Sequence, residues 1–218
     1  MECGDYTYIW QAPDWPAWRI DLASLAQPLA EVSRAQGLLQ GRLAGVGLTL
    51  RDHASLAALT DDVVRSSEIE GEYLDAQSVR SSIARRLGVD IGALAPTDRH
   101  AEGVVDMVLD ATGNAQAPLT AERLFGWHAA LFPDGYSGLS RIRVGAWRDD
   151  SRGGMQVVSG PLGRQQVHFE APPASRLPDD MADFLRWVNE DASWPPLIKA
   201  GLGHLWFVTL HPFEDGNG

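Results

Sequence analysis

The sequence predicts an all-α fold that carries one β-hairpin. Apolar residues recur at helical spacing through most of the chain, and capping residues, glycine or proline bound each run. Only one pair of short alternating runs, around the turn region Gly160-Pro161-Leu162-Gly163, reads as strand. The 218 residues are 44% hydrophobic with eight Trp, enough for a packed core in one domain, with or without a smaller helical annex.

The segment Tyr8 to Trp18 is aromatic and broken by Pro13 and Pro16, so it reads as an extended arm anchored by Trp10, Trp15 and Trp18. Asp21 then offers an N-cap to a helix with Leu22, Leu25, Leu29, Val32, Leu39 and Leu43 in period, closed by Gly45 and Gly47. A second helix starts near Ala54, with Leu56, Leu59 and Val63 on one stripe. Continued by threes and fours, that stripe reaches Glu70, a charge where the period calls for an apolar residue. Gly71 suits the left-handed residue that ends many helices. A third helix covers Ala76 to Leu87 and stops at Gly88. After the turn-rich Gly92–Pro96, helical patterns resume at Thr97–Ala111 and Thr120–Phe132.

The hairpin pairs Met155–Ser159 with Gln166–Glu170, and Pro172-Pro173 ends it. An amphipathic helix follows at Asp179–Asn189. The last helix runs from Pro195 or Pro196 to Leu210, so apolar all round that it is expected to be central and buried.

The net charge of −11 and pI near 4.9 argue against a nucleic-acid or anionic-membrane surface as the main partner. One cysteine, Cys3, excludes an internal disulfide and a cysteine-based zinc site. The start has neither a basic n-region nor an apolar h-region, and no apolar run approaches the ~20 residues that span a bilayer. A soluble, cytoplasmic protein without a membrane partner is the expectation.

The chemistry concentrates in His211-Pro212-Phe213-Glu214-Asp215-Gly216-Asn217-Gly218. His211 sits at a helix C-terminus, where the dipole tends to raise a histidine pKa. Asp215 follows four positions later, and Gly216-Asn217-Gly218 suits a nest of backbone N–H groups for an anion. A base, a carboxylate for Mg²⁺ and phosphate donors are the parts of phosphoryl-type transfer. Singly, a His before Pro is usually a cap and D-G-N-G usually a turn. Together they favour phosphate handling, without choosing among kinase, nucleotidyl transferase and phosphohydrolase.

This octapeptide resembles the signature of the Fic family, HPFx(D/E)GN(G/K), at every specified position. The resemblance implies an all-α Fic-type core with a β-hairpin flap and transfer of AMP from ATP to a Tyr, Thr or Ser hydroxyl of a target protein. It implies that His211 is the general base, that Asp215 holds Mg²⁺ on the α- and β-phosphates, and that Gly216, Asn217 and Gly218 line the anion hole. Phe213 would be structural. The hairpin Met155–Glu170 resembles the flap, and Val167, His168 and Phe169 would receive an extended target segment by strand addition.

Ser66-Ser67-Glu68-Ile69-Glu70-Gly71 also fits the (S/T)xxxE(G/N) pattern of autoinhibited Fic proteins, which accounts for the misplaced glutamate. By resemblance, Ser66, Glu70 and Gly71 would belong to an inhibitory helix at about 54–71, with Glu70 obstructing the ATP γ-phosphate. That places an N-terminal arm and helical region at 1–92 and the catalytic core at 93–218, the class whose inhibitory helix precedes the core. The family pattern continues past its last glycine with RxxR, one arginine being the partner of the inhibitory glutamate. The chain stops at Gly218, so it is expected to be a fragment of a longer protein.

The alternatives are another nucleotide or phosphate-containing donor, removal of AMP from a modified target, or a silent nucleotide-binding regulatory module. A homo-oligomeric assembly is left open. His168 reads first as an exposed strand histidine, and Arg141, Arg143 and Arg148 as loop-surface charges.

Overall fold

The computed structural model describes residues 6–161 and 163–217, so Gly218 and Cys3 lie outside the described residues. The fold is mostly helical with few short strands. It divides into two compact units, Ala17–Val105, and Met1–Pro16 with Asp106–Gly218.

In the unit Ala17–Val105, helix α1 (Leu22–Ala44) starts where the Asp21 carboxylate accepts the Ala23 and Ser24 N–H groups at 3.0 and 3.3 Å. Its leucine stripe makes it a helix but leaves none of its residues buried. Helix α2 (Leu48–Ile69) begins ahead of the predicted Ala54. Gly47 supplies the first turn's acceptor for Arg51 N–H, and the Arg51 guanidinium donates to Leu43 O at 3.0 Å, tying this start to the end of α1.

Helix α3 (Ala76–Leu87) has the predicted bounds: Asp75 caps it through Ser78 N–H, and Gly88 ends it at φ 68. α2 packs on α3, and Leu56 and Val63 of the former and Val79 and Ile83 of the latter are buried. Helix α4 (Arg99–Gly113) starts after the predicted Thr97, because the Asp98 carboxylate takes the capping bond from Ala101 N–H while Thr97 donates to Glu102. The division between the units falls inside α4.

The second unit is built on α5 (Ala121–Leu131), α6 (Leu177–Glu190) and α7 (Pro196–Leu210), with α6 packed on α7. The Thr120 hydroxyl accepts Arg123 N–H at 3.2 Å and caps α5. Leu177, Met181, Phe184, Leu202, Trp206, Leu210 and Phe213 form the core. Leu197 and Leu205 of α7 remain 44% and 43% exposed, so the expectation of an all-round buried helix holds on one face only.

Between α5 and α6 lie two antiparallel ribbons. One is the small pair β1 (Tyr136–Ser137) and β2 (Ser140–Arg141), which the sequence did not predict. Its two-residue loop starts with Gly138 at φ 53, the positive φ that such tight hairpins require. The other is the predicted hairpin, β3 (Gln156–Ser159) and β4 (Gln166–Glu170). Val157 pairs with Phe169 and Val158 with Val167, so His168 is the extra residue of a bulge.

The N-terminal arm belongs to this same unit as far as Pro16. It is not wholly extended: Ile9–Gln11 form a 3₁₀ turn, fixed because the Gln11 side-chain oxygen accepts the Thr7 and Tyr8 N–H groups. Trp10 Nε1 donates to Glu170 O at 2.7 Å, Tyr8 meets Phe169 edge-on, and Trp15 meets Trp206 edge-on.

Candidate active site

α7 hands the chain to the signature loop through an uncommon conformation. His211 has φ 50 and ψ 60, the one positive φ outside glycine among the described residues. A left-handed L-residue costs about 1–2 kcal/mol, so the surroundings must hold it. Arg148 does so. Its Nε donates to His211 O at 2.7 Å, its Nη2 to Pro172 O at 2.6 Å and Leu210 O at 3.3 Å, and its Nη1 to Asp150 at 2.9 Å. Its backbone N–H donates to Pro212 O at 2.8 Å. At 3% exposed, Arg148 is a buried cap on the last carbonyls of α7 rather than the loop-surface charge its sequence context suggested.

The His211 ring is part-buried, with Nδ1 3.4 Å from Val208 O. A carbonyl can only accept, so the proton belongs on Nδ1 and the Nε2 lone pair is free. Burial pushes the His211 pKa below its ordinary value; the Val208 carbonyl opposes this, the Arg148 cation adds to it, and Asp215 opposes it. This is opposite to the direction expected from the helix C-terminus, with burial first and the Arg148 cation second as the causes that lower the pKa.

Beyond Pro212 the loop is pinned from three sides. Asn217, 5% exposed, brackets Phe213: its Oδ1 accepts Phe213 N–H at 2.8 Å and its Nδ2 donates to Phe213 O at 3.0 Å. The Phe213 ring packs among Phe125, Trp147 and Phe207 and lies flat on His128, centroids 4.1 Å apart. His128, 2% exposed, accepts Gly145 N–H on Nδ1 at 3.0 Å and therefore carries its proton on Nε2, which donates to Asp215 O at 3.1 Å.

Gly216 has φ 73, and a Cβ there would lie 2.7 Å from Phe132 Cε2. Both facts require glycine. The Asp215 carboxylate accepts from the Ser137 hydroxyl through Oδ2 and from Gly216 N–H through Oδ1 at 2.7 Å. Glu214 turns the other way, accepting Arg143 N–H at 3.1 Å with the Arg152 guanidinium 3.9 Å away.

No group of three or more His, Cys, Asp or Glu is arranged as a metal cage among the described residues. The donor chemistry suits a different arrangement. One exposed carboxylate, held at both oxygens and with lone pairs remaining, matches Mg²⁺ that arrives largely ligated by phosphates and water. Asp215 would hold it.

The structure thus brings His211, Asp215, Gly216 and Asn217 into one loop. Val167, His168 and Phe169 lie on β4, where the Ser159 hydroxyl sits 2.6 Å from His168 Nε2, so His168 has a partner within its own hairpin. Ser66 lies in α2, Glu70 is that helix's C-cap, and Gly71 follows at φ 82, all in the Ala17–Val105 unit.

Three residues of the site went unremarked or misread in the sequence. His128 left a trace: it continues the α5 stripe from Leu124 at i+4, a polar residue in an apolar register. Ser137 and Arg148 left none, since their partners lie 78 and 63 positions away.

Residues 118–218 match the Fic/DOC family, and residues 8–89 match a domain of unknown function, DUF4172. The chain therefore carries a Fic/DOC family domain preceded by a DUF4172 region. It is 30% identical over 112 residues to a uridine 5'-monophosphate transferase of Xanthomonas campestris pv. campestris (strain 8004), covering 47% of this chain and 19% of that protein. It is also 30% identical over 67 residues to the protein adenylyltransferase fic-1 of Caenorhabditis briggsae, covering 28% of this chain and 13% of that protein. Among solved structures, a Fic family protein from Desulfovibrio desulfuricans G20 aligns with a TM-score of 0.57 at 25% identity, covering 93% of this chain and 55% of the other. No described helix is long and apolar enough to cross a membrane.

Proposed function

We propose that the chain carries the nucleotidyl-transfer site of a protein adenylyltransferase, moving AMP from ATP to a hydroxyl side chain of a protein target and restrained by Glu70. The observation that carries this reading is the neutral, part-buried His211 with a free Nε2 at the head of a glycine-bearing loop that also presents Asp215. The Fic/DOC match over residues 118–218 and the adenylyltransferase relative support it, and the uridine 5'-monophosphate transferase supports nucleotidyl transfer in general.

The target hydroxyl gives its proton to His211 Nε2 as its oxygen bonds to the α-phosphorus. The bond from that phosphorus to the bridging oxygen breaks, and pyrophosphate leaves with the electron pair. In the loop Gly216-Asn217-Gly218, the Gly216 N–H is engaged with Asp215 Oδ1 and the Asn217 side chain with Phe213, so the backbone N–H groups of Asn217 and Gly218 are the ones left to receive phosphate oxygens. Mg²⁺, when bound at Asp215, supplies charge neutralisation on the α- and β-phosphates. The β3–β4 hairpin, with Val167, His168 and Phe169 on its second strand, receives the target backbone. Glu70 with Ser66 and Gly71 supplies the restraint; its support is the sequence pattern at the end of α2.

A second reading, transfer of UMP from UTP, is favoured by the Xanthomonas relative. The longest natural form of the protein is incubated with each labelled nucleoside triphosphate and a cell extract, with and without Glu70→Gly. Label transfer from ATP that rises with Glu70→Gly and vanishes with His211→Ala is expected. Transfer from UTP alone selects the second reading. Nucleotide binding without any transfer leaves a silent regulatory module.

A further inference from the structure

Resting on that reading, we infer that Ser137 is the positioning residue for the Asp215 carboxylate, and that the short β1–β2 ribbon serves to hold it there. The Ser137 hydroxyl donates to Asp215 Oδ2 across 78 positions of sequence. Ser137 of β1 pairs with Ser140 of β2, and Gly138 opens the two-residue loop between them. The ribbon therefore fixes the serine's backbone, and the hydroxyl reaches the one oxygen that the loop does not satisfy itself: Oδ1 already takes Gly216 N–H at 2.7 Å.

The remaining freedom of Asp215 is removed from behind, where His128 Nε2 donates to its carbonyl at 3.1 Å. Among the described residues, Ser137 supplies the one side-chain hydrogen bond to the Asp215 carboxylate itself. An exposed carboxylate otherwise samples several rotamers, and ordering it for an ion costs side-chain entropy. A donor on Oδ2 removes that cost in advance and leaves the remaining lone pairs of both oxygens for the ion and its water. Outer-sphere hydrogen bonds of this kind typically change metal affinity by about 10–100-fold.

The test reads metal binding rather than activity. Mn²⁺, in place of Mg²⁺, is titrated by electron spin resonance onto the chain in the presence of ADP. Ser137→Ala is expected to weaken Mn²⁺ binding about tenfold or more, with ADP binding in the absence of metal unchanged. Ser137→Thr, which keeps the hydroxyl, restores it, and Ser140→Ala, on the partner strand, leaves it untouched. Near-ultraviolet circular dichroism and a thermal melt establish that each variant is folded. Loss of Mn²⁺ binding in Asp215→Ala with unaltered binding in Ser137→Ala overturns the inference and leaves the proposed site standing. Undiminished binding in Asp215→Ala removes the metal role of Asp215, and the role of Ser137 falls with it.

Discussion

His128 lies flat against Phe213, ring centroids 4.1 Å apart and planes 8° from parallel, while its two nitrogens reach Gly145 and Asp215. One imidazole thus joins α5 to the signature loop by stacking on Phe213 and donating to Asp215 O, and accepts Gly145 N–H on its other nitrogen. Such a residue has no close substitute. His128→Ala removes the packing and orphans two backbone groups, which predicts a loss of about 3–5 kcal/mol in a denaturant titration. His128→Phe keeps the stack and loses only the hydrogen bonds, so about 1–3 kcal/mol is expected. Equal losses in the two variants would mean that the stack contributes nothing.

Gly216 allows a second test of how tightly the loop is held. Its φ of 73 and the 2.7 Å approach of Phe132 to a Cβ are separate obstacles to any side chain. Gly216→Ala is expected to cost about 1–3 kcal/mol in backbone strain plus the clash. Adding Phe132→Ala relieves the clash alone, so the double variant recovers part of the stability that simple addition of the two losses would predict. Strict additivity in the double-mutant cycle would refute this account.

How much of this was legible in the sequence depends on the range of the interactions. α3 was read to the residue because Asp75 and Gly88 act on their own neighbours. α2 was misread at its start because the Arg51 side chain binds back to Leu43 of α1, which no local period reveals. The signature loop was legible as residue types, and Asp215 and Gly216 as a turn. What holds that loop was not. Arg148 looked like one more arginine in a loop, yet four carbonyl or carboxylate partners, three of them more than 20 positions away, make it a buried cap. The β1–β2 ribbon has two residues per strand, too short for any alternation to show.

Acid should affect His211 in a defined direction. Its folded pKa is depressed below the ordinary 6.5, first by burial. The neutral form, with Nε2 free, therefore persists at pH 7 and below, and the acid limb of the transfer rate is expected beneath 6.5. The same shift sets the sign for stability: below 6.5 the unfolded chain binds a proton that the folded chain resists, so this contribution is lost as pH falls through that value toward the depressed one. Rate–pH profiles and denaturant midpoints between pH 8 and 5 check both. An acid limb above 6.5 would contradict the assignment of a desolvated base.

Arg148 connects these two behaviours, because it caps the helix that presents His211 and its charge also lowers the His211 pKa, after burial. Arg148→Met keeps much of the volume and removes both the donors and the charge. The lost hydrogen bonds, from a cation only 3% exposed, predict a destabilisation of about 3–5 kcal/mol. Arg148→Lys keeps the charge but not the planar fork that serves His211, Leu210 and Pro172 together, and falls between wild type and Met. The pH profile separates the two effects. With the cation gone, the His211 pKa rises and the acid limb moves to higher pH in Arg148→Met, whereas Arg148→Lys leaves it near its original place. If both variants lose stability and neither moves the limb, Arg148 acts on the loop through geometry alone, and the low pKa of His211 belongs to burial.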